Sequence, residues 1–432
     1  MVKQQKSIVI LGIDTSCDDT CCAILNIKSQ ISNIEKIKVL SNVVSSQVKL
    51  HAKYGGVYPS LAKREHQRNL VPVLKKCLTE AKLLKISNTR TACHFESRKQ
   101  REIKNLNHQD SSVASADLRM TTIKTLSQIL ERDDILRLKT IQFLKKYQKP
   151  KIDYIAITVG PGLEPCLWQG INFAKALSYY WNIPIIPVNH IEAHLAANWL
   201  SPISGNPKSE ILNPKQIKFP AIGLVVSGGH TELILTKKIG NYKIIGETLD
   251  DAAGECFDKT ARILGLPYPG GPAIAAAAAK LSIINYQLPN EKISLPRPMI
   301  HSKDFNFSFS GLKTAVLYNY KQQNIKTKKS KNYVQAMAQD IQQSIIDVLL
   351  KKTFKAAERF NVKTIILGGG VASNFNLRQQ FKIQSEKLKI NFSAPPNIFC
   401  LDNGAMVAIV GMFHKNRARL NQKLKADGNL KI

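Results

Sequence analysis

The sequence predicts an α/β protein, and three observations predict it. Short β-branched runs alternate with segments of helical apolar spacing. Each half of the chain opens with the same succession of strand, polar turn and strand. Glycine-containing turns separate several strand-like runs from helix-like ones, as βα junctions require.

Taken in order, Ile8–Ile13 and Thr20–Asn26 read as strands around the polar turn Asp14-Thr15-Ser16-Cys17-Asp18-Asp19. Leu61–Leu84 carries helical spacing, Asp153–Val159 reads as a strand, Leu167–Tyr180 as a helix and Ile185–Val188 as a strand. A helix-like pattern follows over residues 190–194. In the second half, Ala221–Val226 and Thr231–Thr236 flank the turn Ser227-Gly228-Gly229-His230. Long helical segments then lead to the strand Thr364–Leu367 and the run Gly368-Gly369-Gly370. The repetition suggests a duplicated fold with a cleft between its halves, visible in pattern although the halves share little sequence. Residues 1–87 and 150–215 are expected to form an N-terminal subdomain, and 216–432 a C-terminal one whose last helix is a candidate to pack back on the first. Ser201–Lys218, with three prolines, reads as the connection. Residues 88–149 break the pattern, being polar, mostly basic and poor in aromatics, although Ile123–Leu144 has some helical spacing. They read as an insertion, either a partly helical surface excursion or a disordered loop.

The formal net charge of +31 and a pI near 9.8 favour a polyanionic partner, with RNA the leading candidate. Abundant Lys, Asn and Ile are also the mark of an AT-rich genome, so charge alone supports nucleic-acid binding weakly. Eight cysteines are scattered, with one cluster at Cys17, Cys21 and Cys22. That spacing matches neither a zinc ribbon nor a disulfide framework and points to buried thiols in a reducing compartment. The first strand-like run starts at Ser7, leaving no room for a signal peptide, and no apolar run is long enough to span a bilayer. The expectation is a cytoplasmic protein without a membrane partner.

The chemistry centres on His190-Ile191-Glu192-Ala193-His194. Residues i and i+4 share a helix face, so both imidazoles can reach one cation, and Asp402 far downstream would complete a metal site. Glu192 points to nearly the opposite side, unlike the base of an H-E-x-x-H metallopeptidase. Two capping or surface histidines are the plain alternative. The turns at Asp14–Asp19 and Ser227–His230 are of the kind that approaches phosphates through backbone N–H groups. Ile365–Asn374 combines a strand, a glycine turn and a helix start, without the G-x-G-x-x-G fingerprint. Gly160-Pro161-Gly162 is a second sharp turn, expected to pack beside the metal helix. His51–Pro59 is a glycine-hinged aromatic loop ahead of a helix bearing Lys63, Arg64, His66 and Arg68, a set suited to RNA phosphates and base stacking or else a solvated face.

The chain resembles the TsaD family of tRNA threonylcarbamoyltransferases, once described as O-sialoglycoprotein endopeptidases. The likeness runs through Gly12–Thr20, His51–Pro59, His190–His194, Val226–Thr231 and Gly254-Glu255-Cys256-Phe257-Asp258-Lys259. It continues through Tyr268–Pro272, Phe309-Ser310-Gly311-Leu312-Lys313, Gly368–Asn374 and Asp402–Met406, sparing only 88–149. The resemblance implies an actin/Hsp70-like (ASKHA) fold, two ribonuclease-H-like subdomains flanking a nucleotide cleft. It implies transfer of threonylcarbamoyl from threonylcarbamoyl-adenylate to N6 of adenosine 37 in tRNAs reading codons that begin with A, releasing AMP. Carried over by position, His190, His194 and Asp402 match ligands of one iron(II) or zinc ion. Val225, Val226, Ser227, Gly228, Gly229, Asp258, Gly271 and Asn374 match adenylate-binding positions, and Asp18 matches the acidic residue tied to catalysis. The family's partners would be tRNA, a paralogous dimerisation subunit and a small ATPase.

Four departures stand out. Asp14 replaces the glutamate usual in bacterial members, Ala275 stands where many relatives carry an acidic residue, Gly162–Trp168 differs from the family's small-residue version, and the large insertion is unusual. Rival classes are a metal-dependent peptidase, which lacks a base beside the histidines, and an ATP-binding ASKHA kinase, which has no need of them. A non-catalytic RNA scaffold explains the charge but not the His, His, Asp set.

Overall fold

Ile10, Leu11 and Ile13 are fully buried, and because successive residues face opposite ways, the strand that holds them is covered on both sides. That strand, β1 (Lys6–Asp14), is the centre of the first sheet in a computed structural model describing residues 6–30, 33–87, 111–131, 133–200, 217–281, 293–420 and 423–432. It pairs antiparallel with β2 (Asp19–Gln30), which pairs antiparallel with β3 (Asn33–Ser46). On its other side it runs parallel to β4 (Tyr154–Gly160), and β4 to β5 (Ile185–Asn189). The order is β3-β2-β1-β4-β5. Helices α1 (Pro59–Glu80), α2 (Ser111–Ile129), α3 (Asp134–Lys146) and α4 (Glu164–Trp181) complete this part. Pro59 suits the first position of α1, where its missing N–H has no partner to lose.

Helices α2 and α3 fit the partly helical alternative for residues 88–149 but correct its placement on the surface. Leu126, Leu130, Leu136, Phe143 and Leu144 are buried in one core with Leu11, Leu74, Ile155 and Trp181. Lys124, Lys145 and Lys146 stay exposed. The segment therefore looked polar because its charges form one face, while a narrow apolar stripe makes it a layer of the core. Residues 88–110 lie outside the described residues, as does most of the expected connection, 201–216.

The second half continues with α5 (His190–Ala196), β6 (Ala221–Val226), β7 (Thr231–Lys238), β8 (Asn241–Glu247), α6 (Ala253–Ile263) and α7 (Gly270–Ala278). Then come α8 (Ser310–Gln322), the long α9 (Lys331–Arg359), β9 (Thr364–Gly368), α10 (Phe375–Leu388), β10 (Asn391–Ser393) and α11 (Gly404–Phe413). Here β6 pairs antiparallel with β7 and β7 with β8, while β6 runs parallel to β9 and β9 to β10. The order β8-β7-β6-β9-β10 repeats the first sheet, strand for strand and direction for direction.

Contacts divide the chain into two compact units. The first takes the described residues of Met1–Ser46, Pro59–His190 and Asn403–Leu430; the second takes those of Gln47–Tyr58, Ile191–Asp402 and Lys431–Ile432. The boundary falls at the start of α5 rather than at residue 215 because Ile191 and Leu195 pack with Ala221, Val225, Ile234 and Ile366. Helix α11, apolar all round and buried, belongs to the first unit. It lies directly on β1, where a Cβ on Gly12 would come within 2.0 Å of the Gly404 carbonyl.

Candidate metal centre

Parallel strands β1, β4 and β5 finish on one edge of the first sheet, at Asp14, Gly160 and Asn189. Ligand sites of open α/β sheets gather at such carboxyl ends. Asp14 is fully buried there. Its Oδ1 accepts the Ser16 N–H at 2.9 Å, and its Oδ2 lies 3.1 Å from Nδ1 of His190. A carboxylate only accepts, so Nδ1 donates here when it carries the proton, the tautomer that ligation through Nε2 requires.

His194 follows one turn later on α5, whose seat on the second sheet is cut by glycines. A Cβ on Gly223 would meet Leu195 at 2.6 Å, and one on Gly368 would meet the His194 carbonyl at 2.8 Å. Nε2 of His194 lies 3.3 Å from Oδ1 of Asp402. Asp402 immediately precedes Asn403, the N-cap of α11, whose Oδ1 accepts the Met406 N–H at 2.9 Å. His190, His194 and Asp402 each offer one ligand atom, and these atoms lie within 4.8 Å of one another. Ligands bonded to one ion at about 2.0–2.2 Å stand roughly 3–4 Å apart, so the set fits a divalent metal with a small contraction. Two nitrogens and one oxygen are a donor set that several divalent ions accept.

Glu192 is buried and accepts a hydrogen bond from the Tyr242 hydroxyl at 2.7 Å. That engagement holds it in the second unit's packing and away from a general-base role. Burial pushes the Cys166 and Cys256 thiols up to about 12, with Asp18 adding to the effect at Cys166 and Asp251 at Cys256. Asp18 stands in the turn between β1 and β2, and its charge acts on the Cys166 thiol.

The remaining expected positions fall in the second unit. Val225 and Val226 are buried in β6, so only their backbone can meet a ligand. The Ser227 N–H donates to the His230 carbonyl at 2.8 Å and the His230 N–H to Ser227 Oγ at 3.1 Å, closing the β6–β7 hairpin. At its tip a Cβ on Gly228 or Gly229 would meet nothing within 4 Å, and the same holds for Gly271 in the first turn of α7. Asp258 Oδ1 accepts the Gly270 N–H at 2.6 Å and so anchors the start of α7. Asn374 caps α10, accepting from the Leu377 N–H at 3.0 Å and donating to Gln342 at 2.8 Å. Its side chain thus has a structural task whatever else it touches.

Two expectations change here. His66 is fully buried, bonded to Thr20 Oγ1 at 2.8 Å and the Cys17 carbonyl at 2.9 Å, and is not part of a basic surface. Gly160 pairs with Asn189, just ahead of α5, but Gly162 sits against Ser16 and its N–H donates to the Gly428 carbonyl at 3.1 Å. The residue that sequence reasoning missed is Asp14, noted as a departure and not as the partner of His190. Its position at the end of β1, level with the end of β5, was the available signal.

Two sheets of one repeated pattern and a His, His, Asp cluster with both imidazoles buried define an α/β protein with a candidate metal centre. The model of the TsaD family, tRNA N6-adenosine threonylcarbamoyltransferase, matches residues 38–89 and 140–409. The chain is 39% identical over 426 residues to the tRNA N6-adenosine threonylcarbamoyltransferase of Thermosipho africanus, covering 98% of this chain and 100% of that protein. It is 38% identical to the one from Persephonella marina, over 93% of this chain and 89% of that protein. With that of Bacillus subtilis the identity is 36%, over 95% and 91%. The chain belongs to the TsaD family. Residues 90–139 fall between the two stretches that the family model matches.

Proposed function

We propose that this chain transfers threonylcarbamoyl from threonylcarbamoyl-adenylate to N6 of adenosine 37 in tRNAs reading codons that begin with A, releasing AMP. The observation that carries the reading, beyond family membership, is the convergence of His190, His194 and Asp402 within 4.8 Å. Each sheet with its helices is read as one ribonuclease-H-like subdomain of an ASKHA fold, supported by their identical strand order. When bound by the triad, iron(II) or zinc supplies positive charge to phosphate and carbamoyl oxygens of the substrate. Asp14 orients His190, and Asp402 holds its carboxylate toward His194. The open faces of Gly228, Gly229 and Gly271 give the adenylate room to approach backbone N–H groups. An exocyclic amine is a poor nucleophile, so positioning contributes much of the acceleration, and Asp18 is assigned to orient the amine or take its proton. The reading includes a paralogous dimerisation subunit and a small ATPase as partners, and a cytoplasmic setting. Among the described residues no helix is long and apolar enough to cross a membrane.

The test incubates tRNA, threonylcarbamoyl-adenylate and the protein with its partners, then measures tRNA nucleosides by mass spectrometry. The modified adenosine is expected only when the protein is present. Its absence overturns the assignment. Against the metallopeptidase alternative stands the engagement of Glu192, which accepts a hydrogen bond from the Tyr242 hydroxyl.

A further inference from the structure

The loop between β3 and α1 presents two large aromatic rings to solvent. Tyr54 is 64% exposed and Tyr58 57%. Their centroids stand 6.0 Å apart with an interplanar angle of 28°, so the two rings form a stacked pair rather than separate side chains. Neither ring belongs to a core, yet the backbone that carries them is tied down. His51 is fully buried; its Nε2 lies 3.1 Å from Gln47 Oε1, and its Nδ1 accepts the Tyr58 N–H at 3.2 Å. The Gly55 N–H donates to the Ala52 carbonyl at 3.1 Å. Gly55 takes a left-handed φ of +69°, and a Cβ there would press on the guanidinium of Arg262, which donates to the Gly55 carbonyl. Arg262, exposed on α6 in the same unit, thus clasps the loop. Lys49 and Lys53 of the same segment are exposed, and no carboxylate occurs in residues 47–58.

We propose that Tyr54 and Tyr58 form a stacking platform for an unpaired RNA base, with Lys49, Lys53 and Arg262 on the adjoining phosphates. The inference rests on the proposed action on tRNA and names where that RNA is held. An unpaired base offers two π faces to a ring, and the flanking cations match a polyanion rather than an apolar protein surface. The platform reads an unstacked nucleotide, because bases inside a duplex present only their edges. Its rigidity lowers the entropy lost on docking.

Three full-length proteins decide the matter: the wild type, the double variant Y54A/Y58A and the double variant Y54F/Y58F. Each is titrated with unmodified tRNA and with a fully paired RNA duplex across a range of salt. Y54A/Y58A is expected to bind tRNA about tenfold or more weakly. Its salt slope stays that of the wild type, since no charge is removed. Y54F/Y58F keeps the stacking faces and is expected to bind tRNA as the wild type does. Duplex affinity stays equal in all three, and so does the thermal midpoint. Undiminished tRNA affinity in Y54A/Y58A, or an equal loss on the duplex, overturns the platform while leaving the proposed function standing. A Y54A/Y58A protein that keeps tRNA but loses a protein partner overturns it in favour of a protein interface. A wild type that binds no tRNA overturns both.

Discussion

Oδ2 of Asp14 lies 3.1 Å from Nδ1 of His190, across 176 residues of sequence. The pair joins the ends of two strands of one sheet, so the backbone of β1 fixes the ring that begins α5. Removing the carboxylate should leave the first sheet intact, yet free the imidazole to rotate and change tautomer. Asp14→Ala is therefore expected to lower metal affinity about 10- to 100-fold. Titration with zinc or iron(II) under chelator buffering measures it. Wild-type affinity in the variant would make the contact purely structural.

Asp402 is partly exposed, its side chain 21% accessible, so its carboxylate is a costly group to lose for ligation and a cheap one for folding. Asp402→Asn should cut metal content and transfer activity together, with an unchanged thermal midpoint. A protein with full metal occupancy and full activity would remove Asp402 from the triad.

Glu232 offers a pH test away from the metal. Burial, then the nearby Glu247, pushes its carboxyl up to about 7, with Lys431 pulling the other way. The folded value lies above the ordinary 4.5, so between them the folded chain holds a proton that the unfolded chain has lost. Stability from the neutral form is fully present below about 4.5 and is lost as pH rises through about 7. Glu232→Gln is expected to match the wild type near pH 4 and to exceed it by on the order of 2–3 kcal/mol at pH 8. Urea denaturation at several pH values reads the difference, which must grow with pH for the idea to survive.

Phe143, buried on α3, tests the corrected view of the basic segment. Phe143→Ala is expected to cost about 3–5 kcal/mol. Lys145→Ala, on the exposed face of the same helix, should stay within about 0.5 kcal/mol. Excising residues 111–147 should abolish cooperative unfolding of the first unit, and a well-folded deletion protein would return the segment to the surface.

Gly271 and Gly369 should respond oppositely to alanine. Gly271→Ala enters open space in a helix and is expected to add roughly 0.5–1 kcal/mol of stability while weakening adenylate binding. Gly369 has φ +87° and lies against the Val226 carbonyl, where a Cβ would come within 2.3 Å, so Gly369→Ala should destabilise. Denaturation, paired with binding of a non-hydrolysable adenylate, separates the two. Equal adenylate affinity in Gly271→Ala would assign that glycine to folding alone.

What the sequence revealed follows from where each side chain lies. Strands β1, β2, β6 and β7 were legible because buried β-branched runs end in polar turns. The outer strands β3 and β8 were not, since lysines, asparagines and glutamates on an edge mask the alternation. His190, His194 and Asp402 were found together because two share a helix face and all three sit in the family's motifs. Asp14 escaped, since no local spacing relates it to His190; only the pairing of β1, β4 and β5 does. The stripe Leu126, Leu130, Leu136, Phe143 was visible as weak periodicity but was outweighed by the surrounding charge.

The return of α11 to β1 gives the chain an order of assembly. The described residues from Ile191 to Asp402 belong to the second unit, and the segment that covers β1 is made after them. On the ribosome, the second unit therefore has its main parts before the first can close. Until Gly404–Phe413 emerges, Gly12 and its neighbours on β1 lack their cover. A stop codon anywhere between Asp402 and Phe413 would spare most of the second unit and leave the first one permanently unfinished.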